Sequence, residues 1–307
     1  MTVENAFKNK VVLCTGGAGF IGSHLCDAIM LQQPKKLIIL DDLSASNLDN
    51  IVHLLKDNRV EFVEQDTSNY EKIEPYVLES DIIFHLAANN VGNSILHPRI
   101  DYKTNIIGTF NILEAVRKKP SIKMIHVSSG SVENPSTPYA ISKQAGENYA
   151  RFYAHEYKLN IAIIRYYHVF GKRQDMKGKC GVINIFLSRI LKGLPPVVWG
   201  DGQQIKCFTF VTDSVRATMM VATDDDTAGR TYDIASNTRI NINDLAKLLI
   251  KRYAQDKNMK PEYADAKIGE NMILHPDIHR IKMLGWKPEY TFNQGLDATY
   301  NWVKENI

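Results

Sequence analysis

Short apolar runs rich in β-branched residues recur through the first half of the chain, and the stretches between them carry helical periodicity. The first run opens VVLCTGGAGFIG at Val11, ends in a turn of glycines and passes into a helix near Phe20 and Ile21. Further runs at 36–40, 60–63, 81–87, 122–127 and 161–165 predict more strands. Strands separated by roughly 10 to 20 residues of helical pattern imply βαβ crossovers and a parallel sheet. A long helix over 100–119 carries Ile106, Ile107, Phe110, Ile112, Leu113, Ala115 and Val116 on more than one face. Such a helix is buried on two sides, one facing the sheet and the other a partner subunit. Thr137 as N-cap and Pro138 at the first helical position announce another helix over 139–157.

Beyond Gly171 the alternation weakens, and Gly178, Gly181, Gly193, Pro195, Pro196, Gly200 and Gly202 punctuate short elements. This predicts a smaller domain over the carboxyl edge of the sheet. Strands are expected at 208–211 and 232–234, and helices at 243–253 and 292–304. The expected division is 1–170 for the sheet domain and 171–307 for the smaller α/β domain, with some of its segments returning to the sheet.

Gly16, Gly19 and Gly22 stand at the positions of a G-x-x-G-x-x-G turn between strand and helix. Gly16 permits the tight turn, Gly19 lets backbone approach a pyrophosphate, and Gly22 lets helix pack on strand. The helix N-terminus then offers N–H groups and positive dipole charge to the anion. Asp41 ends the second strand roughly 20 to 25 residues later, where a carboxylate accepts both ribose hydroxyls of an adenosine. No arginine follows until Arg59, which favours NAD over its 2′-phosphorylated form. The expected fold class is therefore α/β, a doubly wound parallel sheet of the Rossmann type.

Composition narrows the setting. The net charge of +3 on 307 residues is small and scattered, which argues against nucleic acid as a partner. The opening MTVENAFKNK lacks the apolar core of a signal peptide, and no apolar run approaches the roughly 18 residues that cross a membrane. A cytoplasmic protein is expected. Cys14, Cys26, Cys180 and Cys207 show no C-x-x-C spacing, so reduced thiols are expected rather than disulfides or a metal site. His275 and His279, four residues apart, are also not expected to bind metal.

Tyr139 and Lys143 lie one helical turn apart on one face. An ammonium beside a phenol favours phenolate, and a bound nicotinamide cation does so further. Such a tyrosine can remove a proton from a sugar hydroxyl while hydride leaves the adjacent carbon. Tyr253/Lys257, Tyr263/Lys267 and Tyr300/Lys304 share the spacing. Tyr139 differs in position, because its helix starts shortly after a strand that ends in Ser128 and Ser129.

TGGAGFIGSH at 15–24, HLAA at 85–88, NIIGTFNILEAV at 105–116, VSS at 127–129 and PYAISK at 138–143 resemble the extended short-chain dehydrogenase/reductase family. More narrowly, with GDGQQIKCFTFVTD at 200–213 and LGWKP at 284–288, the chain is similar to the NAD-dependent nucleotide-sugar epimerases and dehydratases. The resemblance implies that Gly16, Gly19, Phe20, Ile21 and Gly22 hold the pyrophosphate of NAD. Asp41 would hold the adenosine ribose, and Asp66 with Thr67 the adenine side. Leu86, Ala87, Ala88 and Lys143 would hold the nicotinamide ribose, and Asn105 would brace the backbone of the active site. Ser129, Tyr139 and Lys143 would be catalytic. Ser94, His168, Asn184 and Lys206 would line the nucleotide-sugar substrate, with the smaller domain as its binding unit. His168 would be either an acid or base beside the sugar or a packed histidine. The implied assembly is a homodimer through the helices at about 100–118 and 139–157.

The departures from that family direct the choice of reaction. Gly130 and Ser131 replace the Asp-Glu pair of the 4,6-dehydratases, and the Cys and His of the epimerase-reductases are absent near Ser131 and Gly181. Only residues 130–138 separate Ser129 from Tyr139, so that wall of the site is short. Lys206-Cys207 replace a usual Arg-Asp, and the arginine often found before the D-x-S segment is lost around 272–274. Lysine lacks the bidentate fork of arginine, so pyrophosphate recognition is expected to be altered or shared with Arg173 or Arg280. By elimination the expectation is epimerisation at carbon 4 through a keto intermediate. Dehydration or keto-sugar reduction is the alternative, and a non-catalytic NAD-binding regulator is the alternative of another class.

Overall fold

The computed structural model describes residues 5–89, 91–176, 181–266 and 274–307. Gly178, Cys180, Lys267 and Met272 lie outside the described residues. The first half runs β1 (Val11–Thr15), α1 (Phe20–Leu31), β2 (Lys36–Asp41), β3 (Val60–Glu64), α2 (Tyr70–Glu79), β4 (Ile82–His85), α3 (Val91–Ser94) and α4 (Pro98–Asp101). A π-helical stretch, Tyr102–Gly108, follows, then α5 (Thr109–Lys118), β5 (Lys123–Ser129), α6 (Pro138–Glu156) and β6 (Ile161–Tyr166). The second half runs β7 (His168–Phe170), α7 (Val182–Leu191), β8 (Val197–Trp199), β9 (Ile205–Phe210), α8 (Val211–Thr223) and β10 (Thr231–Ile234). It ends with β11 (Arg239–Asn241), α9 (Ile242–Tyr253), β12 (Glu262–Ala264), α10 (His279–Met283) and α11 (Phe292–Glu305).

Among the described residues, seven strands form one sheet in the order β3-β2-β1-β4-β5-β6-β10, with every pairing parallel. The strand order reverses between β1 and β4, which opens a crevice at their carboxyl ends. Alternating side chains feed two cores. Phe84, Ile125, Val127 and Ile164 pack with α1 and α8, through Leu25, Ile29, Val215 and Met219. Ile83, Met124, Ile161 and Ile163 face α2, α5 and α6, through Ile73, Val77, Ile112, Val116 and Ala150.

Three local departures from the sequence pattern bear on the site. Strand β4 stops at His85 instead of running to Ala87, because Leu86 and Ala87 turn back to donate to the Thr15 carbonyl and hydroxyl at 3.1 and 3.2 Å. The expected helix over 100–119 is interrupted by the π-helical stretch, a feature frequent at functional sites. The expected strand at 208–211 begins at Ile205 and passes into α8 at Val211 without a loop.

The second half joins the sheet and also forms smaller sheets of its own. Strand β10 extends the large sheet, while β7 pairs parallel with β9 and β11 pairs antiparallel with it. Phe170, Phe208, Phe210 and Phe292 tie these strands to α11, with ring centroids 5.5 to 6.1 Å apart. The LGWKP turn docks through one acid. Trp286 Nε1 donates to the Asp213 carbonyl at 3.0 Å, and the Asp213 carboxylate accepts the Glu289 and Tyr290 amides at 2.8 and 3.2 Å. Asp213→Ala leaves both amides without an acceptor, for an expected loss of about 1–3 kcal/mol. This is read as a lower urea midpoint, and an unchanged midpoint would show that Trp286 and the Arg216 contacts with Lys287 and Glu289 hold the turn without it.

Candidate active site at the carboxyl edge of the sheet

The glycine turn is built for close approach. Gly16 has φ +69°, and its amide donates to Leu40 O at 2.8 Å. A Cβ on Gly16 would stand 2.7 Å from the Ala87 amide nitrogen, and one on Gly22 would stand 2.1 Å from Gly16 O. Gly19, the N-cap of α1, is extended at φ −72° and gives no side-chain cap, so the first N–H groups of the helix keep their affinity for an anion. Phe20 and Ile21 form its first turn.

Asp41 is nearly buried at the end of β2. Its Oδ2 accepts the Ala18 amide at 3.0 Å, and Oδ1 accepts from Leu43 N at 3.0 Å and Ser46 Oγ at 2.7 Å. Burial raises its carboxyl above the usual range against the pull of those three donors. The acid thus braces the glycine loop as well as standing at the ribose position. Asp42 is exposed and caps Ser44. Asp66 pairs with Lys103 of the π-helix at 2.7 Å. Thr67 is buried against Gly108, where a Cβ would meet its Oγ1 at 2.3 Å. Leu86, Ala87 and Ala88 follow β4, half-buried beside Gly16.

Across the crevice, β5 delivers Ser129, whose Oγ lies 2.9 Å from Ser131 Oγ and accepts the Ser131 amide at 3.2 Å. Thr137 Oγ1 caps α6 by accepting the Ala140 amide at 3.1 Å, and Pro138 starts the helix. That start puts Tyr139 in the first turn, half-buried, and Lys143 one turn deeper at 3% exposure. Lys143 Nζ donates to Val127 O at 2.5 Å. Burial pushes this ammonium down to about 8, and Glu147 a turn further on pulls it back up. Asn105 joins the pieces. Its Oδ1 accepts the Asn89 amide at 2.9 Å and its Nδ2 donates to Ser142 Oγ at 2.8 Å.

A family model described as the NAD dependent epimerase/dehydratase family matches residues 12–235. The chain belongs to that family. A protein of Methanocaldococcus jannaschii named "Putative UDP-glucose 4-epimerase" is 34% identical, with 96% of this chain and 99% of that one covered. The crystal structure of UDP-glucose 4-epimerase with UDP-glucose from Thermotoga maritima is 32% identical with a TM-score of 0.87, covering 96% of this chain and 99% of that one. The dTDP-glucose 4,6-dehydratase of Streptomyces venezuelae, solved with NAD bound, has 27% identity and a TM-score of 0.90, covering 96% and 97%. The family's dinucleotide fits the residues in place: a cradle that any Cβ would fill, free helix amides above it, and an acid at the end of β2.

The structure separates the residues expected around a substrate. Ser94 is fully buried and its hydroxyl donates to Asp101, which ties α3 to α4. His168 Nδ1 accepts the Cys207 amide at 3.4 Å, and burial with Lys206 nearby lowers the imidazole to about 3. The ring is half-buried and packs against Phe208, with centroids 5.8 Å apart. Asn184 is fully buried and donates to Gly171 O at 3.0 Å, forming the wall behind β7. Lys206 sits half-buried on β9, opposite Ile240 of β11 and near enough to His168 to act on its charge. The two arginines expected to share the pyrophosphate are engaged elsewhere: Arg173 with Asp27 at 2.8 Å and Arg280 with Thr231 O at 3.3 Å.

Sequence reasoning missed the charge cluster behind Lys143. Glu147 is buried; desolvation raises its carboxyl, and Arg165 at 2.6 Å with Arg151 at 2.8 Å brings it below the usual range. The i,i+4 spacing from Lys143 was the available signal. Lys143 also has a testable pH signature in the cofactor-free protein. Its folded pKa lies below the unfolded one, so a penalty is fully present below about pH 8. It is relieved as pH rises from there toward the usual lysine range. The stability of the native chain relative to Lys143→Met is expected to rise over that window, measured by urea unfolding; parallel pH curves would mean that Lys143 titrates normally.

Proposed function

We propose that this protein is an NAD-dependent epimerase of a nucleotide-activated sugar, inverting carbon 4 through a keto intermediate, and that it works as a cytoplasmic homodimer. The observation that carries the reaction is the pairing of an intact Ser129-Tyr139-Lys143 set with a neighbouring loop that offers the sugar no free acid. Glu133, the acid of that loop, accepts from Tyr167 and lies 3.9 Å from Arg165. The names of the relatives support the substrate class. The similarity to a dehydratase keeps elimination as the second reading.

Bound NAD supplies the acceptor and later the donor of the hydride at the sugar carbon. Tyr139 takes the hydroxyl proton. The buried Lys143 ammonium, one turn away, stabilises the phenolate, and Ser129 at the end of β5 shares the same sugar oxygen. The keto sugar turns over within the cleft, and Tyr139 returns the proton when the opposite face has been presented. Such a cycle asks for no further acid or base.

The purified protein is to be incubated with UDP- and dTDP-hexoses while bound-cofactor absorbance and product stereochemistry are followed. Carbon-4 epimer without net NADH is expected, and a stable keto or unsaturated product would overturn the reading. Tyr139→Phe is expected to keep bound NAD and to lose at least about 100-fold in turnover; unchanged turnover would mean a different base.

For the dimer, Ile141 at 55% exposure, Phe152 at 49%, Tyr149 and Phe110 form an apolar face on α5 and α6. Three buried free thiols, Cys14, Cys26 and Cys207, agree with a reducing compartment. Sedimentation is expected to give a dimer at micromolar concentration and a monomer for Phe152→Glu. A native monomer would reject the assembly.

A further inference from the structure

A polar ring on an apolar strand must find partners, and His85 on β4 is 1% exposed. Its Nδ1 lies 2.7 Å from Thr15 Oγ1, at the foot of the glycine loop, and its Nε2 lies 3.0 Å from Thr109 Oγ1 on α5. Counting protons fixes the direction of each bond. Thr109 Oγ1 donates its single proton to the Asn105 carbonyl at 2.7 Å. His85 Nε2 must therefore donate to Thr109, which leaves Nδ1 as the acceptor for the Thr15 hydroxyl. Thr15 Oγ1 in turn accepts the Ala87 amide at 3.2 Å. Asn105 continues the line, since Ser142 Oγ accepts from its Nδ2 at 2.8 Å and donates to the Tyr139 carbonyl at 2.9 Å.

We propose that His85 is a positioning residue: as the neutral Nε2–H tautomer it clamps the π-helical stretch that carries Asn105, and through it the backbone of Tyr139, onto the strand that ends in the glycine loop. The proposal rests on Tyr139 being the base of the reaction above. Burial, reinforced by the Lys143 ammonium, lowers the imidazole to about 3. The other titratable ring facing it is His126, 5.7 Å away, itself held neutral by burial. The clamp therefore keeps one proton across the working range and adds no limb to the pH profile.

Gln at position 85 can bring an amide N–H to the place of Nε2, whereas Asn offers only an acceptor at the place of Nδ1 and does not reach Thr109. His85→Gln is expected to keep kcat within about threefold. His85→Asn and Thr109→Val are each expected to lower kcat about 10- to 100-fold, with KM and NAD content unchanged. The double variant is expected to fall no further than the worse single one, because both break the same link. Wild-type kcat in His85→Asn, a His85→Gln loss as large as that of Asn, or multiplying losses would overturn the proposal. Nitrogen-15 spectra of histidine-labelled native protein, with His85 assigned by difference from His85→Gln, read the tautomer directly. Protonated Nε2 and bare Nδ1 from pH 5 to 9 are expected, and a titrating or Nδ1-protonated ring overturns the clamp. This measurement stands whether or not a sugar is turned over, so it fails separately from the proposed reaction.

Discussion

A lysine ammonium sealed between a sheet and a helix loses its hydration, and the site depends on how this chain compensates Lys143. One backbone carbonyl, Val127 O, touches it directly. The compensating negative charge, Glu147, is itself buried and would be as unfavourable alone. Arg165, next to the carboxyl end of otherwise apolar β6, and Arg151, one turn further along α6, hold that carboxylate. Arg165 also approaches Asp233 on β10 at 4.0 Å and Glu133 in the loop after Ser129 at 3.9 Å. The Lys143 ammonium is thus the inner end of a charge chain that runs to the last strand of the sheet. This ties β10, drawn from the second half of the chain, to the buried charge of the first.

What could be read without coordinates follows from how local each signal is. The strand, glycine turn and helix of 11–31 are contiguous, and each glycine has a backbone reason visible within a few residues, so both fold and cofactor were legible there. The Tyr139-Lys143 pair was legible for the same reason. The compensation of Lys143 was half legible: Glu147 sits at helical spacing, but Arg165 and Asp233 arrive from other strands. His85 lay inside a recognised motif, yet its partners Thr15 and Thr109 are 70 and 24 residues away. The second half was least legible because its strands β7, β8, β11 and β12 have three residues each, too short for alternation to show. The partners of Ser94 and the two arginines were not legible for a related reason, since they are fixed by tertiary packing.

The short wall after Ser129 is where the architecture constrains the reaction most. Gly130 is buried under the ring of Tyr167, and a Cβ there would stand 2.5 Å from ring carbon Cε1 and 2.9 Å from Cγ. These are atoms of the ring body, and the ring is fixed at its far end, where the hydroxyl lies 2.7 Å from the Asp233 carboxylate and also meets that of Glu133, its one proton shared between them. Gln144 Nε2 holds the same turn by donating to Val132 O at 3.1 Å. No side chain fits at position 130 unless Tyr167 moves, and moving it strips a hydrogen bond from the strand that also carries the Arg165 partner Asp233. A carboxylate in the place of Gly130 is therefore excluded here by packing as well as by sequence. The same contacts that hold Gly130 under Tyr167 tie the loop after Ser129 to the Lys143 charge chain, through Glu133 and Asp233.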